Sequence, residues 1–213
     1  MSLPYEDNQK DRVPYEHYLA EFAGIDPVEA SERTGIPYDA DRQVFTLELL
    51  NQRYEIHFPD FAVVSLGEGY APLADRESFG ARIFVLRYLI RGQKSMGTGK
   101  YITYGEMPWG EVYIRQFTGR CITRLAFGFG FKLNKFASAC ECLAGEKLTL
   151  GDVSYELNIL GNLFIRFILW EGDDEFPPSA QILFSDNFVG ACEAEDLCVA
   201  CDISINAMKA LGK

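Results

Sequence analysis

The amino-acid sequence predicts an α+β domain, a mostly antiparallel β-sheet covered by helices and closed by a C-terminal helix. Two observations carry this. Strand-like runs come in groups joined by short turns, and helical runs come in blocks, without the repeated strand–helix–strand alternation that a parallel sheet requires. The chain is also 48% hydrophobic and 14% aromatic over 213 residues, enough apolar surface for one core. A single domain over residues 1–213 is expected, with 1–12 as a flexible N-terminal segment.

The first helix is expected from Tyr15 to Phe22. Asp26-Pro27-Val28-Glu29 then starts a short one, with Asp as cap, Pro in the first turn and Glu at the capping-box position. Gly35 ends it and Pro37 blocks its continuation. Strands follow at Val44–Leu49, at Arg53–Phe58, where Tyr54, Ile56 and Phe58 alternate with polar residues, and at Phe61–Leu66. Asp75 is expected to cap a helix running to Arg91, whose Phe79, Ile83, Leu86 and Ile90 recur at helical spacing. Gly92–Gly99 is a loop. Helix resumes from Glu111, is broken near Gly119 and Gly128–Gly130, and ends near Gly145. Val153–Leu160 and Leu163–Trp170 form a hairpin around Gly161-Asn162. The second of these strands is almost wholly apolar, which predicts cover on both faces. A strand at Gln181–Phe184 and a helix from Glu193 to Leu211 complete the chain.

A net charge of −11 argues against nucleic-acid binding. No apolar run reaches the roughly 18 residues of a membrane helix, and the polar first residues do not resemble a signal peptide. A cytoplasmic protein is therefore expected, with its six cysteines as thiols. Charge is unevenly spread. Residues 82–135 hold ten Lys/Arg against Glu106 and Glu111, while residues 167–208 hold nine Asp/Glu and no Lys or Arg. These segments are expected to face each other; a basic anion-binding face is the alternative reading.

Motifs for chemistry are sparse. Gly97-Thr98-Gly99-Lys100 fails the phosphate-loop pattern at Lys94 and Tyr101. His17 and His57 belong to no nucleophile or metal motif. Cys198 and Cys201 share one helix face, where thiols behave as small apolar groups. Spacing alone does not decide whether Cys140, Cys142 and Cys192 converge with them on a metal. The most unusual run is Trp170-Glu171-Gly172-Asp173-Asp174-Glu175-Phe176-Pro177-Pro178. Four carboxylates within five residues can hold a hard cation or serve as acid and base. The structural alternative is a solvated turn, or one paired with the basic segment, in which Phe176 is buried and the prolines fix the exit. Trp170 is expected to be mostly buried. Arg166, placed in the hairpin register beside Leu157, Ile159, Phe164 and Ile168, needs an internal carboxylate, with Asp152 or Asp173 as candidates. The candidate ligand-binding residues are thus Asp152, Arg166, Trp170, Asp173, Asp174 and Glu175.

Several runs carry a resemblance. Tyr88-Leu89-Ile90-Arg91-Gly92, Tyr101–Pro108, Gly151–Ser154 and, most distinctively, Leu169–Ala180 with Ile182-Leu183-Phe184 are similar to a prokaryotic family common in anaerobes, domain of unknown function 3786. Family members of this kind are sometimes fused to a four-cysteine iron–sulfur domain like that of corrinoid iron–sulfur proteins. The resemblance implies a setting in corrinoid or one-carbon metabolism, with an iron–sulfur or corrinoid protein as partner. It implies no catalytic residues. The chain departs from the family pattern at Leu160–Leu163, where prolines are usual, and at Ser185, where the usual acid comes one position later as Asp186. Three readings of function follow: a non-catalytic binding or accessory module, a divalent-cation enzyme using residues 171–175, and a Cys-ligated metal or iron–sulfur protein.

Overall fold

The computed structural model describes residues 9–212, with side chains from residue 12. The expectation of a flexible segment over 1–12 lies partly outside these residues, and 9–12 are already helical. Helix α1 (Gln9–Phe22) leads to α2 (Pro27–Thr34), which starts as its sequence dictates. The Asp26 carboxylate accepts from the N–H groups of Val28 and Glu29 at 2.9 and 3.1 Å, and Gly35 closes the helix in the left-handed region, φ +73°.

A short strand β1 (Tyr38–Asp39) precedes β2 (Val44–Leu49), β3 (Gln52–His57) and β4 (Ala62–Ser65). The β2–β3 turn places Leu50 and Asn51 both at positive φ, the type I′ geometry that matches strand twist. Helix α3 (Phe79–Arg91) starts three residues later than a cap at Asp75 suggests, because that carboxylate accepts from Glu77 N–H in a separate turn. Strand β5 (Tyr101–Ile102) and a 3-10 turn (Tyr104–Glu106) lead into α4 (Gly110–Phe117). The expected break at Gly119 is instead a π-helical stretch (Thr118–Thr123) that runs directly into α5 (Arg124–Phe129). Then come α6 (Leu133–Cys142), β6 (Glu146–Leu148), β7 (Val153–Leu160), β8 (Leu163–Trp170), β9 (Ser179–Ser185), α7 (Phe188–Ala191) and α8 (Ala194–Leu211).

Among the described residues the strands make one sheet in the order β4-β3-β2-β7-β8-β9-β5, with β1 on β2 and β6 on β7, every pairing antiparallel. This is the α+β class the sequence predicts. Helical cover of β7–β9 falls on the face carrying Tyr155, Leu157, Ile165, Phe167 and Phe184, where Phe136 meets Tyr155, and Phe117 and Phe188 meet Phe184. Each such fully buried side chain stabilises by about 1.5–3 kcal/mol. On the opposite face of β8, Phe164 and Arg166 are half-buried and Trp170 is exposed, so the cover expected on both faces is not complete.

Hairpin register decides what Arg166 meets. Gly161, at φ +60°, makes the two-residue turn, and Leu160 pairs with Leu163. Unbroken pairing from there would set Leu157 opposite Arg166. A bulge between Asn158 and Leu160 shifts the register by one, so Glu156 stands opposite Arg166. The bulge sits where β2 joins β7: Leu49 pairs with Leu160, and Leu50 N–H donates to Ile159 C=O at 3.1 Å.

The basic and acidic segments do face each other. Arg87 pairs with Glu193 and with Asp196, the latter at 2.9 Å; Arg120 pairs with Glu195 and Asp202, and Arg124 with Asp202 at 2.8 Å. The acids used are those of α8 and its N-terminal cap, not those of the 171–175 turn. Among the described residues no helix is long and apolar enough to cross a membrane.

Candidate functional site

The six residues singled out in the sequence do not form one site. Arg166 does have an internal carboxylate partner, but it is Glu156 rather than Asp152 or Asp173. Its Nε donates to Glu156 Oε2 at 2.7 Å, Tyr101 O–H donates to the same oxygen at 2.5 Å, and the guanidinium lies 3.4 Å from the Tyr101 ring centroid. Burial first, and the Glu156 carboxylate second, push the Tyr101 phenol up to about 12. Asp152 accepts from Glu171 N–H at 2.8 Å. Asp173 accepts from the N–H groups of Glu175 and Phe176 at 2.8 and 2.7 Å, and these bonds hold its carboxyl below its ordinary range. Both acids therefore serve the loop's own backbone.

Two burial expectations fail here. Trp170 is 38% exposed and Phe176 67% exposed. The loop is anchored instead by Pro178, which is buried against Gly130 and Gly172; Gly172 N–H donates to Gly130 C=O at 3.0 Å. Glu171, Asp174 and Glu175 point to solvent, and none makes an ion pair among the described residues. A hard cation needs six or more converging oxygens. Among the described residues no three His, Cys, Asp or Glu side chains are gathered in that way.

Cysteine placement follows burial. Cys198 and Cys201 sit on the buried face of α8, where Cys121 of the π stretch joins them; the Cys121 thiol donates to Cys198 C=O at 3.8 Å, and the Cys198 thiol to Tyr104 Oη at 3.5 Å. Cys140 is buried elsewhere and Cys142 is exposed. Burial pushes Cys140, Cys192 and Cys201 above the ordinary thiol range, the opposite of what a nucleophile or ligand needs. The glycine loop is likewise structural. Asp186 accepts from Thr98 N–H at 2.9 Å and from its hydroxyl, and Asn187 donates to Ser95 C=O and Asn162 C=O. The acid that stands one position late against the family pattern thus holds this loop to the end of β9.

A site that sequence reasoning missed lies between β5 and α4. Glu106 reaches back to the N–H and hydroxyl of Thr103, at 2.7 and 2.8 Å. Tyr104 is buried and stacked on Phe117, centroids 4.1 Å apart, and Met107 is buried beside it. Gly110 is obligatory, because a Cβ there would lie 1.9 Å from Tyr104 C=O. Between these fixed points Trp109 adopts φ +66°, ψ 0° and stands 77% exposed. A bulky residue in that region costs about 1–3 kcal/mol, so the surrounding loop must impose it.

Trp109 walls a cleft of about 670 Å³ with Met107, Pro108, Tyr113, Gln116, Val189, Cys192 and the start of α8. Glu193 and Glu195 make an acidic rim. A smaller cavity of about 170 Å³ adjoins it, sharing Cys192 and Glu193, and is lined by Arg87, Tyr88, Arg91 and Gly92 at the end of α3. Its charges are matched internally, Arg87 by Glu193 and Asp196, Arg91 by Glu21 at 2.9 Å. Tyr88, Arg91 and Gly92 of one run and Met107 and Pro108 of another, distant in sequence, thus line two pockets that share Cys192 and Glu193.

A family model described as Domain of unknown function (DUF3786) matches residues 26–207. The chain belongs to this family. The DUF3786 match runs from the α2 cap into the last turns of α8, and it includes the groove, the hairpin and the acidic turn. No curated protein and no solved structure is significantly similar to this DUF3786 chain. The one signal in the sequence for the groove was Pro108-Trp109-Gly110, a Trp set between a Pro and a Gly at a helix start. Neither composition nor periodicity tells whether such a Trp turns in or out.

Proposed function

We propose that this chain is a non-catalytic, cytoplasmic binding or accessory module, and that it receives its partner in the groove walled by Trp109 and Tyr113. The supporting observation is the left-handed, solvent-facing Trp109, held by a loop with fixed points on both sides. An aromatic anchor that is rigid before binding loses little entropy on binding, which is how a few residues come to dominate an interface. The resemblance to the family adds the setting: anaerobic corrinoid or one-carbon metabolism, with a corrinoid or iron–sulfur protein as partner.

The test uses the Trp170→Phe variant, in which Trp109 is the remaining tryptophan and its fluorescence reports on the groove. Titration with a corrinoid iron–sulfur protein should shift that emission saturably. In a calorimetric titration, which needs no tryptophan reporter, Trp109→Ala and Tyr113→Ala should each weaken binding by about 10–100-fold, the loss of about 1.4–2.8 kcal/mol expected of an interface anchor. Unchanged affinity in both variants would remove the groove from the function.

A further inference from the structure

The most distinctive run of the sequence, 169–180, is not used by the groove. It forms the corner where the β8–β9 loop lies on the α5–α6 junction. Gly172 packs against the Phe131 ring, and a Cβ there would lie 2.7 Å from Phe131 Cε1. Large apolar side chains of these two segments are nevertheless left in solvent: Phe131 and Phe176 are 54% and 67% exposed, and Trp170 is 38% exposed. Aromatic groups exposed together mark an interaction surface.

We propose that this corner docks a second copy of the chain. Its charge pattern selects that occupant. Glu171 lines a cavity of about 530 Å³ together with Phe131, Lys132 and Lys135, so the acidic turn, which continues through exposed Asp174 and Glu175, forms one lip and the two lysines form the other. None of these five makes an ion pair among the described residues. A partner of uniform sign would match one lip and be repelled by the other. Two copies related by a two-fold axis match both at once, acidic lip to lysine lip in each direction, with the aromatic centres buried between them. The overall charge of −11 on each copy opposes approach from a distance, but beyond roughly 8 Å this repulsion is screened at physiological salt. Adjacent lips are not screened in this way.

Sedimentation and light scattering across the micromolar range, at physiological salt, test the proposal. The wild-type chain should show a reversible monomer–dimer equilibrium. Glu171→Lys/Asp174→Lys/Glu175→Lys and Lys132→Glu/Lys135→Glu should each raise the dimer dissociation constant by about tenfold or more. An equimolar mixture of the two charge variants should recover a heterodimer, since each altered lip then meets its opposite. That recovery also guards against misfolding, because an unfolded variant cannot be rescued by mixing. The proposal is overturned if the wild-type chain stays monomeric throughout, whatever other protein the corner binds. It is equally overturned if the dimer survives both charge variants, or if their mixture stays monomeric.

Discussion

At the scale of single residues, Arg166 shows how a charge is accommodated on a mostly apolar strand. Its guanidinium sits 3.4 Å from the Tyr101 ring centroid, and its Nε and the Tyr101 O–H both donate to Glu156 Oε2. The Glu156 side chain is only 14% exposed. Arg166→Met would leave that carboxylate half-buried with one neutral donor, and the expected loss is about 1–3 kcal/mol in urea unfolding. Glu156→Gln in the same background should restore part of it, since the unpaired charge is gone. If the two losses simply add, the pair is not energetically coupled. The need for a partner was legible in the sequence because an Arg amid apolar strand residues demands one. The partner's identity was not, because it depends on a one-residue bulge fixed by β2, more than a hundred positions away. Asp152 and Asp173 misled for a related reason: a carboxylate that accepts from the backbone N–H groups of a loop reads, in sequence, like a ligand.

At the scale of elements, local chemistry was legible and short or strained pieces were not. The α2 cap, the β7–β8 hairpin and α8 follow from neighbours in sequence. Strands β1, β5 and β6 have two, two and three residues, too few to show a period, and they exist only because longer strands template them. The Trp109 loop is the strongest case. Gly110→Ala would drive a Cβ into the Tyr104 carbonyl, and the expected result is a loss of about 2–4 kcal/mol together with a displaced Trp109. Trp109→Gly should leave the fold in place. Glycine accepts φ +66° without strain, which offsets the backbone freedom it adds to the unfolded chain, so stability should stay within about 1 kcal/mol of wild type while partner binding is lost. Thermal unfolding beside a calorimetric titration with the partner, which needs no tryptophan reporter, separates these effects. A Trp109→Gly protein destabilised by more than this would mean that the indole supports the fold rather than serving a partner.

At the scale of the whole molecule, the charge asymmetry and the aromatic core set the pH range in which the fold survives. Arg87, Arg120 and Arg124 are tied to the acids around α8, so the middle of the chain and its C-terminal helix are held together by ion pairs. The core itself is rich in tyrosine. Burial, the largest cause in each case, pushes Tyr54, Tyr88 and Tyr155 up to about 12, and all three are fully buried or nearly so. In the unfolded chain the same phenols ionise near pH 10, roughly their ordinary value. Their folded values are the higher ones, so the stability their neutral forms contribute is complete below pH 10 and is lost as pH rises from 10 towards 12. Each can contribute a slope of up to about 1.4 kcal/mol per pH unit within that window. Denaturant unfolding between pH 8 and pH 11 should therefore be flat at first and fall steeply above about pH 10. Tyr54 isolates the cause. Its hydroxyl faces the Leu73 backbone without reaching hydrogen-bond geometry, so it is buried with no partner among the described residues. Tyr54→Phe removes an unsatisfied polar atom and should leave the domain as stable or more stable at pH 7. It also removes one of the phenols that must stay neutral, and should flatten the alkaline decline. An unchanged decline in Tyr54→Phe would mean that ionisation of this phenol does not contribute to the alkaline limit.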